Sequence, residues 1–277
     1  MTYELLDSGY FKKLEKIGGQ IMCRPCPQAC WAPILPKEEW KKAKDTYLRS
    51  NKGGGKWQSN SLPSDWMIEY KGQNMLIRPT NFGHLGIFAE AAGNWEWLRE
   101  QAKPGIKALN MFAYTGGSSI AMAKGGAEVT HLDAAKGIVD WAKINAKENN
   151  LSNIRWIVDD ANRFLDREIR RGNKYDALVM DPPSYGRGSK GEIWKIEDDI
   201  MPYLQRCADV LSDNPAFILF TCHTPHFTPK VLENLAYTVW GENLTIESGE
   251  MTIPQKSSKR TIPSGFYARI IFNDHKS

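Results

Sequence analysis

The pattern of apolar and polar positions changes character near residue 106. Before it, short β-like runs stand at Tyr3–Leu6, Gln20–Arg24, Trp66–Tyr70 and Met75–Arg78, the last two flanking a Lys71-Gly72 turn signal. One helix is predicted among them, Lys37–Arg49. Pro36 suits its first turn, and Trp40, Ala43, Tyr47 and Leu48 would share a face. Asn51–Ser64, with Gly53–Gly55 followed by Ser, Asn and Pro, reads as a flexible loop. The pattern predicts a small β-rich lobe over residues 1–90, on the substrate side, and a second domain over residues 91–277.

Beyond residue 106 strands and helices alternate. The predicted strands are Ala108–Phe112, Glu128–Leu132, Ile154–Val158, Tyr175–Met180 and Ala216–Thr221. Between and after them fall helices at Ser118–Lys124, Ala135–Asn149 and Ala161–Arg171, a run ending near Leu211 that contains or starts at Pro202, and Val231–Val239. Such alternation makes a parallel, doubly wound α/β sheet. Leu244–Thr252 and Phe266–Phe272 have no helix between them and predict an antiparallel hairpin at one edge.

Composition narrows the class only slightly. The chain has 277 residues, 42% hydrophobic and 25% charged, as in ordinary soluble globular proteins. No apolar run approaches the length of a membrane span, and the N-terminal residues lack a signal-peptide core. With five cysteines and no secretory context, the cytoplasm is the simplest expected compartment. The net charge of +4 permits a nucleic-acid partner without demanding one, and says nothing of oligomeric state. Cys23, Cys26 and Cys30 give C-x-x-C-x-x-x-C, but zinc wants four ligands and no fourth Cys or His is near, so no metal is expected.

Candidate chemistry gathers at the strand ends, where open α/β sheets bind ligands. The run Lys107–Ser119, KALNMFAYTGGSS, is a strand that turns through Thr115-Gly116-Gly117 into a helix. It is either a cradle for an anionic or nucleoside ligand or an ordinary tight turn. It lacks G-x-G-x-x-G, which disfavours a dinucleotide enzyme, and no G-K-[ST] follows, which disfavours a P-loop. Strand two ends in Asp133, placed to bind ribose hydroxyls, and strand three in Asp159-Asp160. Asp133 and Asp160 could equally cap the helices that follow them. Strand four ends in Asp181-Pro182-Pro183-Ser184, where two prolines stiffen the chain and leave acceptors aimed into the cleft. Strand five ends in Thr221-Cys222-His223. Lys256, Lys259 and Arg260 between the last strands, and Arg187 and Lys190 after Asp-Pro-Pro, are either substrate-facing cations or solvated charge.

These motifs resemble a class I S-adenosylmethionine (SAM) dependent methyltransferase. Within that superfamily the chain is similar to the large-subunit rRNA cytosine-5 methyltransferase group typified by RlmI. Members carry L-N-x-F-x-Y-T-G-G, matched by Leu109–Gly117, an acid at strand two, D-D at strand three and D-P-P-[KT]-[FY] at strand four. Their T-G-x-F-x-D-Q-R segment is similar to His84–Glu90, and their end to Gly265–Arg269. Ser184 replaces Lys or Thr, Ala91-Ala92 replaces Gln-Arg, and residues 1–65 show no match to the group's RNA-binding PUA domain.

The resemblance implies a seven-stranded Rossmann-like sheet and RNA, specifically rRNA, as substrate. It implies that Asn110, Phe112, Tyr114, Thr115, Gly116 and Gly117 cradle the methionine end of SAM, that Asp133 holds its ribose and Asp160 its adenine, with Asp181 beside them. Pro182, Ser184, Tyr185, Lys259 and Arg260 would face the substrate. Cys222, in Phe220-Thr221-Cys222-His223, is similar to the group's F-S-C-S and would be the nucleophile that attacks carbon 6 of cytosine, with Asp181 as base. The product besides methylated base would be S-adenosylhomocysteine. Two other readings stay open: methyl transfer without a nucleophile, to a guanine nitrogen, a small molecule or a protein, and a non-catalytic SAM- or RNA-binding module.

Overall fold

The computed structural model describes residues 2–50, 54–187 and 193–273; Asn51, Gly53 and Lys190, named above, lie outside them. The chain divides into two compact units. One holds the chain up to Ala92 together with Thr252–Ser264, the other Gly93–Met251 and the chain from Gly265 on. No helix among the described residues is long and apolar enough to cross a membrane.

In the first unit β1 (Tyr3–Gly9), β2 (Lys12–Ile17), β3 (Gln20–Pro25), a one-turn α1 (Lys37–Trp40), β4 (Asp45–Arg49) and β5 (Gly55–Trp57) precede a hairpin of β6 (Trp66–Tyr70) and β7 (Gln73–Ile77). The first five strands form one sheet in chain order, with β3 and β4 parallel. The predicted helix over Lys37–Arg49 is corrected: it stops at Trp40, and its second half is β4. α1 buries no residue, so nothing holds a longer helix. Tyr47 is instead buried against Trp57, and the Asp45 carboxylate accepts the N–H groups of Thr46, Ser59 and Ser61. β2 was hidden in the polar run Lys12-Lys13-Leu14-Glu15-Lys16. Glu15 points inward, where Arg24 Nε and Nη2 donate to it at 2.6 and 2.8 Å, Tyr3 Oη at 2.8 Å, and Lys13 Nζ lies at 3.1 Å. The returning segment 252–264 is stitched to β1: Gln255 Nε2 donates to Asp7 Oδ1 at 2.8 Å, and Ser8 Oγ donates to Gln255 Oε1 at 2.5 Å.

A 3-10 turn at Ala91–Asn94 leads into the second unit. Its elements are α2 (Trp95–Gln101), β8 (Lys107–Met111), α3 (Gly117–Gly125), β9 (Glu128–Asp133), α4 (Lys136–Glu148), β10 (Ile154–Val158), α5 (Ala161–Arg171), β11 (Ala177–Met180), the small hairpin β12 (Tyr185–Arg187) and β13 (Ile193–Lys195), α6 (Ile196–Asp209), β14 (Phe217–Cys222), α7 (Pro229–Trp240), β15 (Leu244–Pro254) and β16 (Thr261–Phe272). The seven-stranded sheet runs β10-β9-β8-β11-β14-β16-β15, parallel through β14, with β16 antiparallel to it. This is the Rossmann-like mixed sheet expected. Strand alternation sorts its side chains. Leu109, Met111, Leu132, Leu178, Met180, Ile218, Phe220 and Cys222 join Phe164, Tyr203 and Leu232 of α5, α6 and α7 in one apolar cluster. Residues of the opposite parity meet the other helices, as where Trp97 of α2 packs edge-on against Phe217 at 5.3 Å.

The buried Glu15 cluster generates a test. Burial alone would raise its carboxyl, but Arg24, Lys13 and Tyr3 together outweigh it and hold the group near 2, against 4.5 for an ordinary glutamate. A depressed carboxyl stabilises the fold fully above the unfolded value of about 4.5 and loses that contribution as pH falls toward 2. Arg24→Met should therefore lower urea stability at neutral pH by ~3 kcal/mol, because it strands a buried charge. Its stability should also depend less on acid than that of the parent, which equilibrium unfolding at stepped pH measures.

Candidate active site

The registers of β10, β9, β8, β11 and β14 bring Val158, Asp133, Phe112, Asp181 and Thr221 into one row at the C-terminal edge of the parallel sheet, continuing each pairing by at most one residue. The predicted strand-end residues therefore converge. At the centre of the row the chain leaves β8 with an alternating backbone: Phe112, Tyr114 and Gly116 all take left-handed φ, at 54, 50 and 90°. Alternating hands turn successive N–H groups toward one concave side, a shape that receives anionic groups. Gly116 then opens α3, whose N-terminus adds its dipole. Gly117 is required for packing: a Cβ there would stand 2.5 Å from Trp95 Cζ2.

Left-handed Phe and Tyr are strained, at roughly 1–3 kcal/mol each, and the surroundings hold them. Tyr114 N donates to Asp133 Oδ2 at 3.0 Å, Ala113 N to Leu132 O at 3.1 Å, and Asn145 Nδ2 to Thr115 O at 2.9 Å. Beneath the loop lies a buried polar chain that sequence reasoning missed. Asn110 Nδ2 donates to Ser119 Oγ at 2.9 Å, and Ser119 Oγ lies 2.9 Å from His131 Nδ1. Burial pushes His131 down to about 3, only partly opposed by the Tyr114 backbone, so the ring is neutral. Asn110 is thus a support of the cradle from below. The signal was present as polar residues inside otherwise apolar strands, Asn110 and His131, and inside a helix, Ser119 and Asn145.

Asp133 does two things at once. Its oxygens accept the N–H groups of Tyr114 and Ala135, each at 3.0 Å. Burial raises its carboxyl above the ordinary value, with the Ala135, Tyr114 and Ala134 amides pulling it back. A carboxylate partly stripped of water gains from further hydroxyl donors. Asp160 caps α5 through the Arg163 N–H at 3.0 Å, and Asp159 is ion-paired with Arg163 at 3.3 Å and with Arg167.

The Asp181-Pro182-Pro183-Ser184 segment is clamped from two sides. Trp194 Nε1, from β13, donates to Pro183 O at 2.6 Å, and Ile196 N donates to Ser184 O at 3.1 Å. The Trp194 ring packs on Phe112 at 5.7 Å and on Tyr203 at 5.5 Å, joining this segment to the left-handed loop. Across the row, Asp181 Oδ1 lies 3.2 Å from His223 Nδ1, and the Ser184 and Thr224 hydroxyls are 2.6 Å apart. Tyr185 is exposed and paired with Lys195 in the small hairpin. Trp194, Tyr203 and Thr224 are site residues that no linear motif revealed.

Cys222 follows a different course. Its parity turns it away from the row and into the apolar cluster, where it is fully buried. Burial pushes its thiol up; hydrogen bonding with the Thr224 backbone and hydroxyl pulls it back in part, while Asp181 adds a smaller push and His223 a smaller pull. Lys259 and Arg260 belong to the returning segment of the first unit and are exposed, with Arg260 Nη1 donating to Ala32 O at 2.8 Å. Cys23 and Cys26 are buried and Cys30 is exposed.

A nest of amides, a helix N-terminus and an aligned, partly desolvated carboxylate two strands from Asp181 suit a nucleoside carrying an amino-acid end. A family model described as S-adenosylmethionine-dependent methyltransferase matches residues 20–239. The chain belongs to this family. Its methyl donor is S-adenosylmethionine. A SAM-dependent methyltransferase from Agrobacterium tumefaciens is similar in structure, with 33% identity and a TM-score of 0.91 over 99% of this chain and 91% of that one. Two curated relatives are ribosomal RNA large subunit methyltransferase K/L of Alteromonas mediterranea, 28% identical over 77% of this chain, and ribosomal RNA large subunit methyltransferase I of Aeromonas salmonicida, 32% identical over 46% of it. The matches span only 30% and 32% of those relatives' own lengths.

In this methyltransferase Asp133→Ala should weaken SAM binding about tenfold, through lost ligand contacts and a loosened Tyr114 turn. Asp133→Asn, which keeps one acceptor, should fall between. Titration calorimetry reads both, and unchanged affinity in a folded Asp133→Ala variant would remove Asp133 from the site.

Proposed function

We propose that the chain methylates a nucleobase of RNA by direct transfer to a nitrogen. The names of the two curated relatives support RNA as substrate. The observation that carries the direct route is the pairing at the edge of the row: Asp181 with His223, and Ser184 with Thr224, around a proline-stiffened segment, while the nearby Cys222 thiol is fully buried. SAM, when bound, supplies the electrophilic methyl group, and the chain supplies alignment. In this reading Asn110, Phe112, Tyr114, Thr115, Gly116 and Gly117 form or support the methionine cradle, Asp133 takes the ribose, and Asp160 lies toward the adenine. The Asp181 carboxylate and the Pro182 carbonyl accept the N–H groups of a flat base and point its nitrogen lone pair at the methyl. Ser184 and Tyr185 border that base. Asp181 takes the proton released as nitrogen gains its methyl, and His223 relays it outward.

Cytosine carbon 5, the expectation drawn from the sequence, calls for a thiolate facing the base. The burial and raised thiol of Cys222 argue against a resident thiolate, so transfer without a nucleophile is the reading favoured here.

Incubation with methyl-labelled SAM and separate RNA, protein and metabolite fractions tests the substrate; label confined to protein or metabolite would overturn the RNA reading. For the route, Cys222→Ala should retain methyl transfer within about threefold, whereas Asp181→Asn should lose on the order of a hundredfold, the usual share of a positioned base. RNA carrying 5-azacytidine should form no denaturation-resistant adduct. An adduct that Cys222→Ala abolishes would restore the cytosine carbon 5 route.

A further inference from the structure

The turn between β1 and β2 is built against its own residue types. Tyr10 and Phe11 both occupy the left-handed region, at φ 48 and 62°. A two-residue turn of this hand favours Asn-Gly, and bulky residues crowd their own backbone there. Burial of the rings does not offset the strain, since Tyr10 is 66% and Phe11 58% exposed. The backbone beneath them is tied down instead. Tyr10 N donates to Trp31 O at 2.8 Å, Phe11 N to Ala29 O at 2.7 Å, and Cys26 N to Phe11 O at 2.8 Å. Residues 32 and 33 press against Gly9, where a Cβ would lie 2.3 Å from Pro33 N. The first unit therefore presents two rings to water from a fixed backbone.

Cations flank the same turn, one by contact and two by their neighbours in the chain. Arg260 Nη1 donates to Ala32 O at 2.8 Å, the carbonyl next to the one that receives Tyr10 N–H. Lys12 follows Phe11, Lys259 precedes Arg260, and both are exposed. The acids of the neighbouring strand are occupied: Glu4 pairs with Lys256 at 2.6 Å, and buried Asp7 accepts from Ile34 N, Leu35 N, Trp40 Nε1 and Gln255 Nε2.

We infer that this surface is a stacking platform for single-stranded RNA, with bases on Tyr10 and Phe11 and phosphates on Lys12, Lys259 and Arg260. Every base offers a flat face to an aromatic ring, and phosphates follow cations placed beside it. An acidic peptide would need the cations but not two strained, exposed rings, and a duplex would hide its base faces. The inference rests on the RNA reading of the active site and adds a second, separate contact in the first unit.

The test uses the full chain and a short, labelled, unstructured RNA oligonucleotide, read by fluorescence anisotropy, with a duplex of the same sequence alongside. The double variant Tyr10→Asn/Phe11→Gly installs the low-strain turn and removes both rings. It should bind the single strand about tenfold more weakly, keep the parent's SAM affinity, and melt at or above the parent's temperature. Tyr10→Trp should bind as the parent does, and Lys259→Ala/Arg260→Ala should flatten the salt dependence. Parent-like RNA affinity in the Asn-Gly variant overturns the platform and leaves the RNA reading standing. So does an equal loss on duplex, or a lowered melting temperature, which would make the rings structural. A parent chain that binds no RNA overturns both.

Discussion

A backbone that turns left-handed three times in five residues, at Phe112, Tyr114 and Gly116, is the constraint on which the second unit depends. Such a loop would relax in isolation. It is fixed because Asp133 takes the Tyr114 amide, Asn145 takes the Thr115 carbonyl, and the Asn110–Ser119–His131 chain fills the space below with bonded polar atoms. Buried hydrogen bonds that leave no alternative geometry specify one conformation, whatever their net contribution to stability. The concave face that results is preformed, so a ligand need not order it on arrival.

The same logic extends along the row. Asp181-Pro182-Pro183-Ser184 has lost two backbone donors, and its Pro183 and Ser184 carbonyls are claimed by Trp194 and Ile196. The Asp181 carboxylate, at the row, is bonded to His223. Phe112, Trp194 and Tyr203 form one aromatic contact set, so the small hairpin β12–β13 is joined by packing to the left-handed loop. A base seated against this segment would meet rigid acceptors rather than mobile side chains, which is how an enzyme with little covalent work to do gains rate.

The first unit is organised by a charge rather than by a loop. Glu15 is wholly buried, and Tyr3, Lys13 and Arg24 converge on it. The strand that carries it is therefore amphipathic only in the company of Arg24. The returning segment 252–264 obeys a similar rule, because Gln255 adds a bonded partner to each of Asp7 and Ser8, both buried on β1. Polar partners far apart in the chain close this unit.

The alternating pattern beyond residue 106 determined the doubly wound sheet, because parallel strands covered by helices must be apolar runs between helical repeats. It also placed Asp133, Asp159-Asp160 and Asp181 at strand ends, since chain direction fixes where a parallel strand stops. Other features needed partners distant in sequence. Tyr47 reads equally well in a helix or a strand until Trp57 and the pairing of β3 with β4 choose the strand. Phe217–Cys222 is buried at every position, so its hydrophobicity carries no alternation, and only the packed helices show that Cys222 faces the core while Thr221 stands in the row. Asn110, Ser119 and His131 look like isolated polar intrusions in the sequence. The tertiary fold makes them one support because it alone brings a strand, a helix and a second strand within hydrogen-bond distance of one another.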